Sequence, residues 1–277
     1  MKRSLAFAFC LAVAANVESV SAQPPQPLDI LGIQLGMAAS QATQILNSHA
    51  AALRAHNVRM LVQPAIISFD VLPKPITWGM RAVAIGNGPV PTEGIFVVFT
   101  MPPNPQVVAE VHRKLEYREN MPAKDALLDS LRKKYGPESV RQKDPTDVTH
   151  SWLFKDGRQQ FVSSQFSADS LYLSVCASSI ESPPNQYGES FDNTDHLNNV
   201  LIRGFSADVQ SKCGSRVFAM TNFDVGNPAL VDSFSVSIAD LAMEDAALEK
   251  TRTLLQNAAN AKRQEQIKKA KQTNPSL

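Results

Sequence analysis

Residues 29–46 read DILGIQLGMAASQATQIL. Ile30, Ile33 and Leu35 are apolar, with Gly32 and Gly36 between them. Ala38, Ala42, Ile45, Leu46, His49 and Leu53 then recur at helical spacing. A glycine at this junction suits a backbone conformation that a side chain resists, and the Ser40 hydroxyl can accept an early helical N–H. The stretch therefore reads as an extended segment that Gly36 turns into an amphipathic helix over 39–55, with a narrow apolar face laid on a sheet. Gly32, Leu35, Gly36 and Met37 are assigned to the turn into that helix, an architectural role.

Strand patterns follow. Val58, Met60 and Val62 alternate with polar residues, as do Ile76, Trp78, Met80, Ala82 and Ala84. Residues 95–101 form a nearly continuous apolar run, suited to a central strand, and 107–118 alternate with one wet face, as antiparallel sheets allow. The pattern then restarts. MPAKDALLDSLRKKYGPES, from Met121, predicts a second helix with Leu127, Leu128, Leu131 and Tyr135 on one face. Arg132, Lys133 and Lys134 fill its last turn, where the helix dipole favours cations, and Gly136-Pro137 ends it. Val148, His150, Trp152 and Phe154 predict a strand, and Lys155-Asp156-Gly157-Arg158 a hairpin into 160–165. Further strands are expected at 171–175, 200–202, 217–223 and 230–239, with a long polar loop at 179–199. Asp240 can cap a last helix whose apolar stripe fades near Ala261. Beyond it Lys262, Arg263, Lys268, Lys269 and Lys271 stand against Glu265 alone, a basic tail open to a partner. The fold class is α+β: two helix-plus-antiparallel-sheet halves, 29–121 and 122–240, then a C-terminal helix and tail over 241–277.

The N-terminus carries Lys2 and Arg3, a 13-residue apolar run from Leu5 to Val17 broken only by Asn16, and small residues at Val20-Ser21-Ala22. That order predicts a secretory signal peptide over 1–22, cleaved after Ala22, and the run is too short to span a bilayer. A proline-rich leader, 23–28, follows. No transmembrane segment is expected in the mature chain. Cys10 falls in the discarded segment, leaving Cys176 and Cys213, which an oxidising compartment pairs as one disulfide. The loop of 37 residues (213 − 176) would contribute roughly 3–4 kcal/mol on the chain-entropy model. Without residues 1–22 the 27 basic and 26 acidic side chains fall to 25 and 25, so net charge makes no case for nucleic acid.

Local signatures of catalysis are missing. There is no G-x-S-x-G elbow, and Gly86-Asn87-Gly88 leads into proline rather than a phosphate-cradling helix. His49 and His56, two helical turns apart, are the most ligand-like histidine pair, without a third ligand. Asp192, Asn193, Asp195 and Asn198 gather oxygen ligands but lack the glycine and distal glutamate of an EF-hand loop. Asp232 and Asp240 are carboxylate candidates by type only, and Trp78 and Trp152 sit at inward strand positions. No catalytic residue, metal or cofactor is assigned.

GIQLGM followed by a helix, and LRKKYGPES closing the second one, resemble recurrent elements of an uncharacterised exported bacterial family, with Cys213-Gly214 and the charged last helix in keeping. More distantly, residues 32–46 are similar to the opening of SmpA/OmlA-type outer-membrane assembly lipoproteins and of the β-lactamase-inhibitor-protein fold, although no lipoprotein cysteine is present and the chain is longer than one such module. The resemblance implies a protein that binds other proteins. The resulting expectation is an exported, periplasmic, non-catalytic module whose partner is another envelope protein, with peripheral membrane contact as a minor possibility of the tail. The alternative is an exported hydrolase with a site assembled from dispersed residues.

Overall fold

The computed structural model describes residues 28–86, 88–143, 147–161 and 213–272, with side chains omitted over 140–148. The signal segment, Cys176, the 179–199 loop with its Asp192–Asn198 cluster, and the strands expected at 171–175 and 200–202 lie outside the described residues. The chain begins with a short ribbon, β1 (Asp29–Ile30) and β2 (Ile33–Gln34), and helix α1 (Ala39–Arg54). Strands β3 (Met60–Ile67), β4 (Ile76–Ala84), β5 (Thr92–Phe99) and β6 (Val108–Glu116) come next. Helix α2 (Lys124–Tyr135) restarts the pattern, followed by β7 (Val140–Lys143), β8 (Asp147–Lys155) and β9 (Arg158–Gln160). Strands β10 (Ser215–Phe223) and β11 (Val231–Asp240) lead into the C-terminal helix α3 (Leu241–Gln272). The architecture is α+β, as the periodicity predicts.

Among the described residues one nine-stranded antiparallel sheet runs in the order β3-β4-β5-β6-β11-β10-β8-β7, with β9 also on β8. Each half supplies a helix and then a meander, and the halves meet where β6 pairs β11. Their geometry repeats in detail. Ala38 precedes α1 and bridges Val107; Ala123 precedes α2 and bridges Leu230. The ladder β5–β6 slips between Val98 and Phe99, and β10–β11 slips between Asn222 and Phe223, in each case one step from the strand start at Val108 or Val231. Matching Val108 to Val231 (an offset of 231 − 108 = 123) maps Arg113 onto Val236, and these two residues face each other across the seam. A pseudo-two-fold axis therefore passes through the Arg113–Val236 pair.

Helices α1 and α2 start without side-chain caps. Ala39 N–H donates to Gln106 O (3.1 Å) and Lys124 N–H to Ala229 O (2.9 Å), so loop carbonyls just ahead of β6 and β11 satisfy the first donor of each helix. Ser40 is exposed and makes no cap, because the helix is welded to the sheet one residue earlier. Asp240 does cap α3, accepting from Met243 N–H at 2.9 Å.

Both helices cover the same face. Leu46 and Leu131, each eight residues past its junction alanine, are buried in one core with Ile95, Val97, Val111, Trp152, Val217, Val236 and Ile238. The β1–β2 ribbon contacts β6 and β11 on this side, beside the seam. Leu31 (φ +56°) and Gly32 (φ +81°) form its two-residue turn, both in the left-handed region that a tight hairpin requires. Ile30 and Ile33 plug the core, and Tyr135 Oη of α2 donates to Asp29 O at 2.9 Å. A second, smaller core joins Leu248 of α3 to Ile67, Ile76, Met101 and Trp78.

Candidate functional site

Alternation along β11 sends Phe234, Val236 and Ile238 into the main core and Ser233, Ser235 and Ser237 to the other face. Register carries that second face across the sheet. On β6, Glu116, Lys114 and His112 lie opposite the three serines; on β10, Asn222, Met220 and Phe218 do. Phe96 of β5 and Thr149 and Ser151 of β8 extend the same rows. Helix α3 crosses one end of this face. Thr251 Oγ1 donates to Pro102 O (2.8 Å), and Asn104 Nδ2 to Ala247 O (3.1 Å), fixing the helix to the β5–β6 loop. Beneath the start of α3, Arg216 is buried close to Glu110 and Glu244. Burial, then the charge of Glu110, pushes the Glu244 carboxyl up to about 8 against the pull of Arg216.

Away from α3, the surface of Ser233, Ser235, Met220, Phe218, Asn222 and Lys114 is half-buried and mixes two hydroxyls with apolar, amide and cationic side chains. Lys114 pairs with Glu116 at 2.7 Å, and His112 Nε2 meets Glu110 Oε1 at 2.8 Å. His112 Nδ1 is enclosed and, among the described residues, has no hydrogen-bond partner. Ser237 stands across from it on β11 and is buried. Serine, histidine and glutamate thus meet in one place, but no Ser237–His112 hydrogen bond forms. Backbone N–H groups within a paired ladder are also committed to neighbouring strands, so the ladder offers no oxyanion cradle.

On the helix side, two carboxylates are each held by a histidine and an arginine. Glu93, nearly buried, accepts from Arg113 Nε (2.6 Å) and meets His49 Nε2 (2.7 Å). Glu138 accepts from Arg132 Nη2 (2.8 Å) and Nε (3.1 Å) and meets His150 Nδ1 (2.9 Å). Burial alone would raise the Glu138 carboxyl, but Arg132, its own backbone N–H and His150 outweigh it and bring it down to about 2. Such charge-balanced clusters hold helix to strand. Each cluster draws on separate elements, and the one signal available for the first was a charged residue, Glu93, at the mouth of an apolar run.

The residues singled out from sequence are dispersed. His49 is committed to Glu93 while His56 is exposed, and no group of three metal-ligating side chains forms among the described residues. Asp232 and Asp240 are eight residues apart on one strand, about 26 Å, far beyond the roughly 5–10 Å of a glycosidase pair. Trp152 is fully buried, with Nε1 donating to Gly136 O at 2.7 Å, and Trp78 packs edge-on against Phe96 at 5.0 Å. Cys213 is buried just ahead of β10. Gly32, Leu35, Gly36 and Met37 all lie in the ribbon and its link to α1, where Gly36 N–H donates to Val108 O and Val108 N–H to Met37 O, both at 2.8 Å.

The basic tail remains helical. Residues 261–272 of α3 are exposed throughout; Lys262 Nζ donates to Asp70 O (3.0 Å), and Lys269 pairs with Glu265 (2.7 Å). No described helix is long and apolar enough to cross a membrane. Edge strand β3 exposes Leu61 and Ile66 but contains Pro64, which has no N–H to offer an added strand. No family model, curated protein or solved structure matches this chain.

Proposed function

We propose that this is an exported, non-catalytic protein-binding or envelope-assembly module, and that the serine-lined sheet face is where its partner protein docks. The observation that carries the reading is the alternation on β11. The same strand that packs Phe234, Val236 and Ile238 into the core presents half-buried Ser233 and Ser235 beside Lys114, Glu116, Met220 and Asn222, while Ser237 is buried between His112 and Phe218. Small hydroxyls supply adaptable hydrogen bonds and room for a partner's side chains, while Phe218 and Met220 supply apolar contact. A rigid sheet loses little freedom on binding. The hydrolase alternative rests on the Ser237–His112–Glu110 juxtaposition, which lacks both the nucleophile–base bond and donors for an oxyanion.

Crosslinking with mass spectrometry in the cell envelope of the host tests the proposal, comparing the native chain with Ser235→Arg/Met220→Glu. The expected outcome is one dominant partner lost in the double variant, with the thermal midpoint kept. A partner retained by the variant, or none enriched by the native chain, removes the sheet face from the binding account.

A further inference from the structure

We infer that the projecting end of α3 is an electrostatic foot for an anionic lipid surface, touching headgroups without inserting. The helix is already formed and is anchored by Leu248, Thr251 and Lys262, so contact does not have to order it. Residues 261–272 then continue for about 18 Å with every side chain exposed. Lys262, Arg263, Lys268, Lys269 and Lys271 oppose Glu265 alone, while the whole chain carries a formal charge of only +1, so the attraction is concentrated at this end.

The pattern favours lipid over a protein socket. Four of the five cations are lysines, the residue that protein interfaces deplete, and Ile267 is the sole large apolar side chain of the segment. At 100° per residue the cations surround the helix instead of forming one stripe, so there is no apolar face to bury in a groove or in acyl chains. A fluid anionic surface needs only charge, and long lysine stems reach it from the flanks of a helix lying on it.

This surface is separate from the sheet face and depends on the proposed function only in placing the protein at the envelope. The test is co-sedimentation of the purified mature chain with vesicles of phosphatidylcholine alone or with added phosphatidylglycerol. Binding is expected only to the anionic vesicles, weakening as salt rises. Neutralising Arg263→Gln, Lys268→Gln and Lys271→Gln together, which leaves Lys262 and Lys269 in their contacts, is expected to lower the partition about a hundredfold. Circular dichroism checks that helix content and melting are retained. Equal binding to both vesicle types, or to the triple variant, overturns the inference. So does capture by soluble polyglutamate with the anionic vesicles left unbound, which would point to an acidic protein. Vesicles hold no protein partner, so a negative result leaves the sheet-face proposal standing.

Discussion

Glu138 shows how a single side chain couples the fold to pH. Its carboxyl is brought from 4.5 to about 2, against the opposing push of burial, by Arg132, its own N–H and the fully buried His150. The folded state therefore prefers the ionised form more than the unfolded chain does. That contribution is complete above pH 4.5 and is lost as pH falls from 4.5 towards 2. Arg132 is 38 % exposed, so screening discounts the effect, leaving about 1–2 kcal/mol. Glu138→Gln should lower stability at neutral pH by that amount and flatten the decline below pH 4.5, which urea unfolding at a series of pH values would measure. An unchanged acid limb would show that other carboxylates set it. This cluster has no local signature among the residues that form it. Arg132 reads as a cation at a helix end and His150 as one apolar-face residue among several, and His150 joins the local Arg132–Glu138 pair only because β8 returns beside the C-terminus of α2.

At the scale of elements, the decisive junction is the link between the ribbon and α1. Gly36 has φ +77° and donates its N–H to Val108 O, while nothing lies within 4 Å of where a Cβ would stand. The need for glycine is thus conformational rather than steric. Gly36→Val should cost about 1–3 kcal/mol through backbone strain, and Gly36→Asn, which tolerates the left-handed region, markedly less. Thermal melting of the two variants checks this; equal losses would shift the cause from strain to packing. A stable Gly36→Val protein that had lost a binding activity would show the motif to be a site rather than a hinge. Elements of this kind were legible because their signals are local. The turn glycine, the helical spacing after it and the period-two strands each follow from the burial of one face. The start of the helix was less legible: Ser40 has the chemistry of a cap, but Ala38 is the cap residue, Ala39 N–H bonds to the loop carbonyl of Gln106 and Ala42 N–H to Ala38 O, so Ser40 is already inside the helix.

At the scale of the whole molecule, the two halves share a plan that their letters conceal. Matched positions carry different residues: Ala50 and Tyr135 on the helices, Glu93 and Val217 on the strands. The offset between halves also changes, from 85 at the helices (123 − 38) to 123 at the seam (231 − 108), so a search at fixed period finds nothing. What survives is backbone geometry: a junction alanine bridged to a strand, a slip in the same ladder and a pairing centred on Arg113 and Val236. The consequence is mechanical. The halves are joined by seven residue pairs of β6 and β11, and one buried core runs through both. Neither half can open without exposing core residues of the other, so unfolding should be a single transition. The chain contains two tryptophans, Trp78 in the first half and Trp152 in the second. Variants that keep one each, Trp152→Phe and Trp78→Phe, report the halves separately by fluorescence. Each is compared with circular dichroism of the same variant, which removes the effect of the substitution on stability. Coincident urea curves by both probes in both variants are expected. A Trp78 curve that precedes or trails its own circular dichroism would mean that the halves melt apart and that the seam is an interface between domains rather than the middle of one sheet.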